Sequence, residues 1–351
     1  MSLLFFCVVS SCRDDDPSSG RELRNTIRRT WLSTAGTRGA RHRFFVGRVA
    51  RGGGCAEAIA RENADHGNDV VILHDLVDSY ANLTRKSMGM FTWVEEQLPP
   101  RPAPPAFVAK VDDDVYVDVD ALITRLRRVP PHVARRGLYM GFINPRGSSP
   151  VVRDPTNKWH DPDYPMRYYP PYAAGPFYVL SRHLVSWLAR NRRALHLGWT
   201  NEDASVGTWL LSTKAYLQHD PGVLPYLSMP RRDSSELLSS RSVAPFVDFG
   251  RTFGPVAVHL QSDWARLGAR RNAAQRRAKY RALELVHEHL AIHGLAYLSC
   301  CSDRRGADPI YPILAKPPAI TDLRWLEDLL SYLRVNGKRQ VDAFGAAIGI
   351  G

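Results

Sequence analysis

The chain has 351 residues, 44% hydrophobic and 23% charged, enough to bury the core of one large α/β domain or two smaller ones, and unlike a disordered composition. Its formal net charge of +12 leaves four readings: a nucleic acid, an anionic membrane or an anionic small molecule such as a nucleotide as partner, or basic side chains that are only solvated. No run reaches the ~18–20 apolar residues of a membrane-spanning helix. The cysteines Cys7, Cys12, Cys55, Cys300 and Cys301 form neither a CxxC pattern nor a readable disulfide framework.

The opening "MSLLFFCVVSSC" lacks a basic leader, and its β-branched and aromatic residues favour a buried strand over residues 3–10. An anchor or signal is therefore expected to be absent from, or lost in, this version of the sequence. A turn-rich "RDDDPSSG" follows, then "RELRNTIRRTWLS", a helix with Leu23, Ile27 and Trp31 four apart on one face. "HRFFVGRV" is a strand, "CAEAIARENADHG" a helix ending near Gly67, and "NDVVILHDL" a strand. "YANLTRKSMGMFTWVEEQL" is an amphipathic helix that "PPRPAPPA" stops. "FVAKV" is a strand, "VDALITRLRRV" a helix and "GLYMGFI" a strand. Alternation of strand and helix over about the first 130 residues predicts an α/β fold with a mainly parallel, Rossmann-like sheet and helices on both faces.

Residues 144–176 read as an irregular aromatic surface loop. Helices are expected at "RHLVSWLARNRRAL" and "NEDASVGTWLLS", a short strand at "GPVAVHLQ", and a long Arg-rich helix from "WARLGARRNAAQRRAKY" to "LAIHG". That last run, with Arg266, Arg270, Arg271, Arg276, Arg277, Lys279 and Arg281, is the best support for a nucleic-acid partner, although such a run is usually a solvated face. Beyond Cys301 one helical stretch, "TDLRWLEDLLSYLR", precedes a small-residue tail. No internal repeat is present.

Four places can carry chemistry. "FVAKVDDDVYV" ends a buried strand on Asp112, Asp113 and Asp114. Ligands of parallel sheets bind at the carboxyl ends of strands. Alternating side chains put Asp112 and Asp114 on one face, where like charges repel unless a hard cation such as Mg²⁺ or Mn²⁺ lies between them. The bland alternative is a solvated acidic turn. In "NEDASVG", Glu202 and Asp203 open a helix, which the helix dipole alone would explain; the alternative is a general base at the mouth of the sheet. His259 ends an apolar strand and gains meaning only if it meets the triplet in space. "VDSYANLTRK" sets Asp78, Tyr80 and Lys86 around a helix start and contains the sequon Asn82-Leu83-Thr84, a weak sign of secretion.

In order, "RNTIRRTW", "RFFVG", "DSYANLTRK", "AKVDDDVYV", "YPPYAAGPFYVLS", "NEDASVGTWL" and "VAVHL" resemble the β-1,3-galactosyltransferases of glycosyltransferase family 31. "GLYMGFI", "YYPPYAAGPFYVLSRHLV" and "CCSDRR" bring the likeness nearest to the subfamily that builds the proteoglycan linkage region. The resemblance covers roughly residues 3–304. It implies a GT-A fold in a catalytic domain of residues 1–301, with 302–351 an extension of unknown role. It implies UDP-galactose as donor, Mn²⁺ as cofactor, a glycan or glycoprotein as acceptor, and no nucleic acid. It assigns Asp112, Asp114 and His259 to the metal, with Asp114 the foremost ligand, and Asp203 to the catalytic base. Arg24, Arg28, Asp78, Lys86 and Asp113 fall near the nucleotide, packing and contact being undivided among them. Tyr172, Gly175 and Glu202 fall on the acceptor side. Trp31 is expected in the core. Family members are usually Golgi membrane proteins, so Golgi residence is expected by analogy. Two rival functions share the motifs: transfer of N-acetylglucosamine, and a non-catalytic glycan-binding or chaperone relative, which would be expected to have lost the triplet or the base.

Overall fold

The computed structural model describes residues 2–12, 17–49, 54–98, 104–143, 149–220, 222–228 and 257–261 and, within one helical segment, Arg324, Asp328 and Ser331. For 17–19, 224–228 and 257–261 only the course of the backbone is described. The expected Arg-rich helix, the double cysteine and almost all of 302–351 lie outside these residues.

The elements run β1 (Leu4–Val9), α1 (Pro17–Arg29), β2 (Ala40–Arg48), α2 (Cys55–Asp65), β3 (Val70–Val77), a short 3-10 turn (Tyr80–Asn82), α3 (Leu83–Gln97), β4 (Phe107–Asp112), β5 (Val115–Val117), α4 (Val119–Arg127) and α5 (Pro131–Arg136). They continue with β6 (Leu138–Ile143), β7 (Ser149–Pro150), β8 (Tyr168–Tyr169), β9 (Ala173–Ser181), α6 (Arg182–Asn191), α7 (Glu202–Leu210), β10 (Tyr216–His219), β11 (Val223–Ser228) and β12 (Ala257–Gln261). Seven strands form one sheet in the order β10-β6-β9-β4-β1-β2-β3. β1 pairs in parallel with β2 and β4, β2 with β3, and β6 with β10. β9 alone runs antiparallel, between β4 and β6. The expected mainly parallel α/β sheet is therefore present.

Its strands are apolar on both faces, as a doubly covered sheet requires. Alternation splits β1 cleanly. Leu4, Phe6 and Val8 join Ile27 and Trp31 of the α1 region and Leu122 and Leu126 of α4 in one core. Phe5 and Cys7 join Met88, Phe91 and Val94 of α3, Leu184 and Leu188 of α6 and Trp209 of α7 in the other. Trp31 is a core residue, as expected, its ring edge-on to Phe6 at 5.2 Å. Each such large side chain contributes about 1.5–3 kcal/mol of burial.

β9 was not expected, because its stretch read as part of the aromatic loop. Its "AAGPFYVLS" carries Pro176 inside the strand, a residue that argues locally against a central strand. Pro176 is tolerated because the β6–β9 register breaks there: Gly141 faces Tyr178, while Ile143 faces Ala173. Reversal of β9 brings its first residues to the carboxyl ends of β1, β2 and β4. A second sheet, β11-β12-β5, begins directly after the Asp triplet.

Candidate active site

β4 delivers Lys110 and Asp112 to its carboxyl end, and Asp113 and Asp114 form the turn into β5. Asp118 is the N-cap of α4, accepting from the Ala121 N–H, and so belongs to helix formation. Across the sheet end, Asn201 caps α7 by accepting from the Ala204 N–H and so sets Glu202 and Asp203 in its first turn.

Lys110, which sequence reasoning passed over, joins the two elements. Its buried ammonium donates to Asp112 Oδ1 at 2.6 Å and to the Gly175 carbonyl at 2.5 Å, and lies 3.5 Å from Glu202 Oε2. Burial works against its charge, but Asp112 and Glu202 hold the proton on and raise its pKa. The strand period was the available signal: Lys110 and Asp112 are two apart and share a face of β4. Glu202 is buried, and its other oxygen accepts from the Tyr178 hydroxyl at 2.7 Å. Its carboxylate is thus turned to Lys110 and Tyr178.

Asp203 accepts from the Gly175 N–H at 2.8 Å. Burial, and then the charge of Glu202, push its carboxyl up to about 6, against the pull of Lys110. A Cβ on Gly175 would lie 2.7–2.9 Å from the Asp203 carboxylate atoms, so only glycine lets β9 approach this close. Asp112 is also raised, by burial first, with Asp114 and Glu202 adding and Lys110 opposing. Like-charged carboxylates gathered around the Lys110 ammonium raise one another, a setting that suits a positive charge.

Above this floor stand Tyr80 and Trp159, the exposed large hydrophobic residues among those described. Partial burial, then Asp203 and Asp112, push the Tyr80 hydroxyl up to about 12, and the Trp159 indole N–H donates to it. Arg153 holds the loop that presents Trp159 by donating to the carbonyls of Asp161, Pro162, Tyr164 and Met166. Tyr172 enters β9 half-buried beside Tyr169, with ring centroids 6.0 Å apart.

The expected nucleotide residues divide here. Arg24 is buried and donates twice to Glu62, at 2.8 and 2.6 Å, and also to the Ser10 hydroxyl and Ser11 carbonyl. Arg28 donates to Glu62, Asp69 and Asn25. Both arginines fasten α1 to α2 and to the approach to β3. Lys86 is buried and donates to Asp78 Oδ1 and to the Ser10 carbonyl, both at 2.5 Å, while Asp78 Oδ2 accepts from the Gly47 N–H. This pair ties together the carboxyl ends of β1, β2 and β3 and lies close enough to Asp112 and Asp113 to feel their charge.

His259 lies on β12 opposite Val115, the residue after Asp114. Its backbone is beside the triplet, and its side chain is outside the described features. Among the described residues no three metal-ligating side chains converge. The donor set still fits a hard divalent cation: adjacent carboxylates at a strand end, one of them raised by its neighbours. The sequon is folded in, because the Asn82 side-chain amide donates to the Val77 carbonyl and Thr84 is buried on the Trp199 carbonyl. Cys12 pairs with Cys55, tying the segment after β1 to the start of α2.

Residues 22–221, more than half of the chain, match the family model described as Galactosyltransferase. The chain belongs to the galactosyltransferase family. A mouse "Beta-1,3-galactosyltransferase 6" is 38% identical over 204 residues, 57% of this chain and 59% of that protein. A zebrafish "UDP-GalNAc:beta-1,3-N-acetylgalactosaminyltransferase 2" is 32% identical over 188 residues, 52% of this chain and 35% of that protein. The chain therefore spans less than two thirds of either relative. Among solved structures, a mannosyltransferase from Pyrobaculum calidifontis in complex with GDP-Man and Mn²⁺ covers 97% of this chain and 87% of its own at 15% identity and a TM-score of 0.35, too distant to argue from. The triplet, Lys110, Gly175, Glu202 and Asp203 all fall inside the segment that matches the galactosyltransferase family.

Proposed function

We propose that this galactosyltransferase-family chain moves galactose from UDP-galactose to the 3-hydroxyl of an acceptor sugar, with inversion to a β linkage. The observation that carries this reading is Asp203, a carboxylate with its pKa pushed up to about 6, held by the Gly175 N–H beside the Asp triplet. A general base works best with a pKa near the operating pH. The acceptor oxygen forms its bond to the anomeric carbon as the bond to the UDP oxygen breaks. Asp203 takes the hydroxyl proton, and UDP leaves with the bonding pair.

Asp114 and Asp112 would hold a divalent cation, Mn²⁺ in this reading, with His259 completing the set and Asp113 beside the nucleotide; when bound, the cation would neutralise charge on the diphosphate. Lys110 fixes Asp112 and Glu202, so the floor of the site is rigid before substrate arrives. Tyr80 and Trp159 offer aromatic faces to a sugar ring at the rim. The acceptor in this reading is galactosyl-xylose, on the likeness of "GLYMGFI", "YYPPYAAGPFYVLSRHLV" and "CCSDRR" to the linkage-region subfamily. Work in the Golgi lumen is supported by the Cys12–Cys55 disulfide, a bond that persists in oxidising compartments. Among the described residues no helix is long and apolar enough to cross a membrane.

Purified chain incubated with Mn²⁺, Galβ1-4Xyl and each of UDP-galactose, UDP-N-acetylgalactosamine and UDP-N-acetylglucosamine tests the proposal. Turnover is expected with UDP-galactose. Turnover with an N-acetylhexosamine donor alone overturns the donor, a result made pertinent by the zebrafish relative. Activity on other β-galactosides but none on Galβ1-4Xyl overturns the acceptor.

A further inference from the structure

Asp328 lies more than a hundred residues beyond the end of the segment that matches the family, yet it is buried against the middle of the chain. Its carboxylate accepts from the backbone N–H of Arg167 in a short hydrogen bond and from that of Tyr168 at 3.3 Å. It also accepts from Arg167 Nε at 2.9 Å. Two consecutive backbone N–H groups converging on one carboxylate make an anion-holding nest, here filled by the protein's own side chain. Arg324, one helical turn earlier on the same face, sets its guanidinium 4.8 Å over the Tyr168 ring. Two side chains four apart thus grip two consecutive residues of one hairpin.

That hairpin is the aromatic region beside the site. The Arg167 carbonyl accepts from the Val151 N–H, and Tyr168 and Tyr169 pair with Ser149 and Pro150. Tyr169 donates to buried Asp161 at 2.9 Å and packs edge-on to Tyr164 at 4.6 Å. Tyr164 shares a 2.8 Å hydrogen bond with Thr208 of α7. Tyr172 rests on Gly207 of α7, where a Cβ would come within 2.6 Å of the tyrosine Cβ. α7 carries Glu202 and Asp203, and the loop between β7 and β8 carries Trp159.

We propose that Arg324 and Asp328 brace the acceptor side of the site, with Asp328 as a positioning residue that fixes the 149–172 hairpin and so the aromatic rim. The kinetic part of this inference rests on the transferase reading above; the structural part does not. A charge-assisted set of hydrogen bonds of this kind is among the stronger ones in proteins. Its loss leaves two backbone donors without their partner and the Arg167 head unpaired by Asp328.

The test uses the full chain with Asp328→Ala, Asp328→Asn and Arg324→Ala, by hydrogen exchange without substrate and by steady-state kinetics. Arg324 is exposed, so its variant keeps the question open should Asp328→Ala fail to fold. Exchange is expected to rise at amides within 149–172 and to stay unchanged in β1 and β4. The acceptor KM is expected to rise about tenfold in Asp328→Ala and less in Asp328→Asn and Arg324→Ala. The donor KM and the slow hydrolysis of UDP-galactose without acceptor are expected to stay within about twofold. Unchanged exchange at 149–172 in all three variants overturns the brace. Raised exchange with acceptor and donor KM moving together overturns the positioning role. Raised exchange in a chain that transfers no sugar upholds the brace and places the fault with the transferase reading.

Discussion

Two buried clusters of charge in this molecule use the same residue types and reach opposite electrostatic states. In the cluster that fastens α1 to α2, Arg24 and Arg28 surround Glu62 and Asp69. Burial pushes Glu62 up, but the two guanidiniums hold it below its ordinary range. Burial acts the same way on Asp69, and hydrogen bonds from His42 and Arg28 hold it at about 2. At the mouth, the Lys110 ammonium lies among Asp112, Glu202 and Asp203, and both Asp112 and Asp203 are raised, by burial first. Two guanidiniums matched to two carboxylates hold both in the charged form. At the mouth, burial and neighbouring carboxylates outweigh Lys110 and leave a carboxylate able to take a proton. Charge alone in a sequence motif does not separate the two; burial and the partners met in space do.

Substitutions can break that contrast from either side. Asp203→Asn removes the base and is expected to lower the initial rate of transfer by about 10²–10⁴-fold with the circular dichroism spectrum unchanged. Glu62→Ala leaves Arg24 and Arg28 buried around a lost partner. It is expected to lower unfolding stability by about 3–5 kcal/mol in a denaturant titration. The wild-type contribution of Asp69 has a depressed folded pKa. Its stabilisation is therefore complete above the unfolded value of about 4 and is lost as pH falls towards 2, a window that acid unfolding will locate. Trp159→Ala is expected to raise the acceptor KM by a few-fold, about 1 kcal/mol, with the donor KM unmoved, which sharpens the assignment of the rim to the acceptor.

Much of this was legible before the structure. Local periodicity exposed the strands and helices of the first 130 residues, and the triplet stood out because charge followed an apolar run; Asp203 read as an ordinary helix start until the family resemblance marked it. What stayed hidden depends on partners distant in sequence. β9 looked like loop because Pro176 and its aromatic neighbours mask a strand whose register break is visible only once β6 lies beside it. The contacts of Arg24 with Glu62 and of Arg28 with Asp69 reach across 38 and 41 residues. Cys55 as the partner of Cys12 lies across 43 residues of chain. Gly175 was expected on the acceptor side for close approach of a sugar; the approach seen is that of the Asp203 carboxylate. The grip of Asp328 on Arg167 spans 161 residues, beyond the reach of any local pattern.

The central claim is that Asp203, poised by burial and by the charge of Glu202, takes the acceptor proton. Its pKa near 6 means that the carboxylate is protonated below that pH and ready as a base above it. The dependence of kcat/KM on pH, measured for the wild type and for Asp203→Asn with UDP-galactose and Mn²⁺, tests this most directly. The wild-type value is expected to rise with pH through about 6 and then level off, and the variant to be slower at every pH without that limb. A variant that turns over at the wild-type rate, or keeps the same limb near 6, would contradict the account.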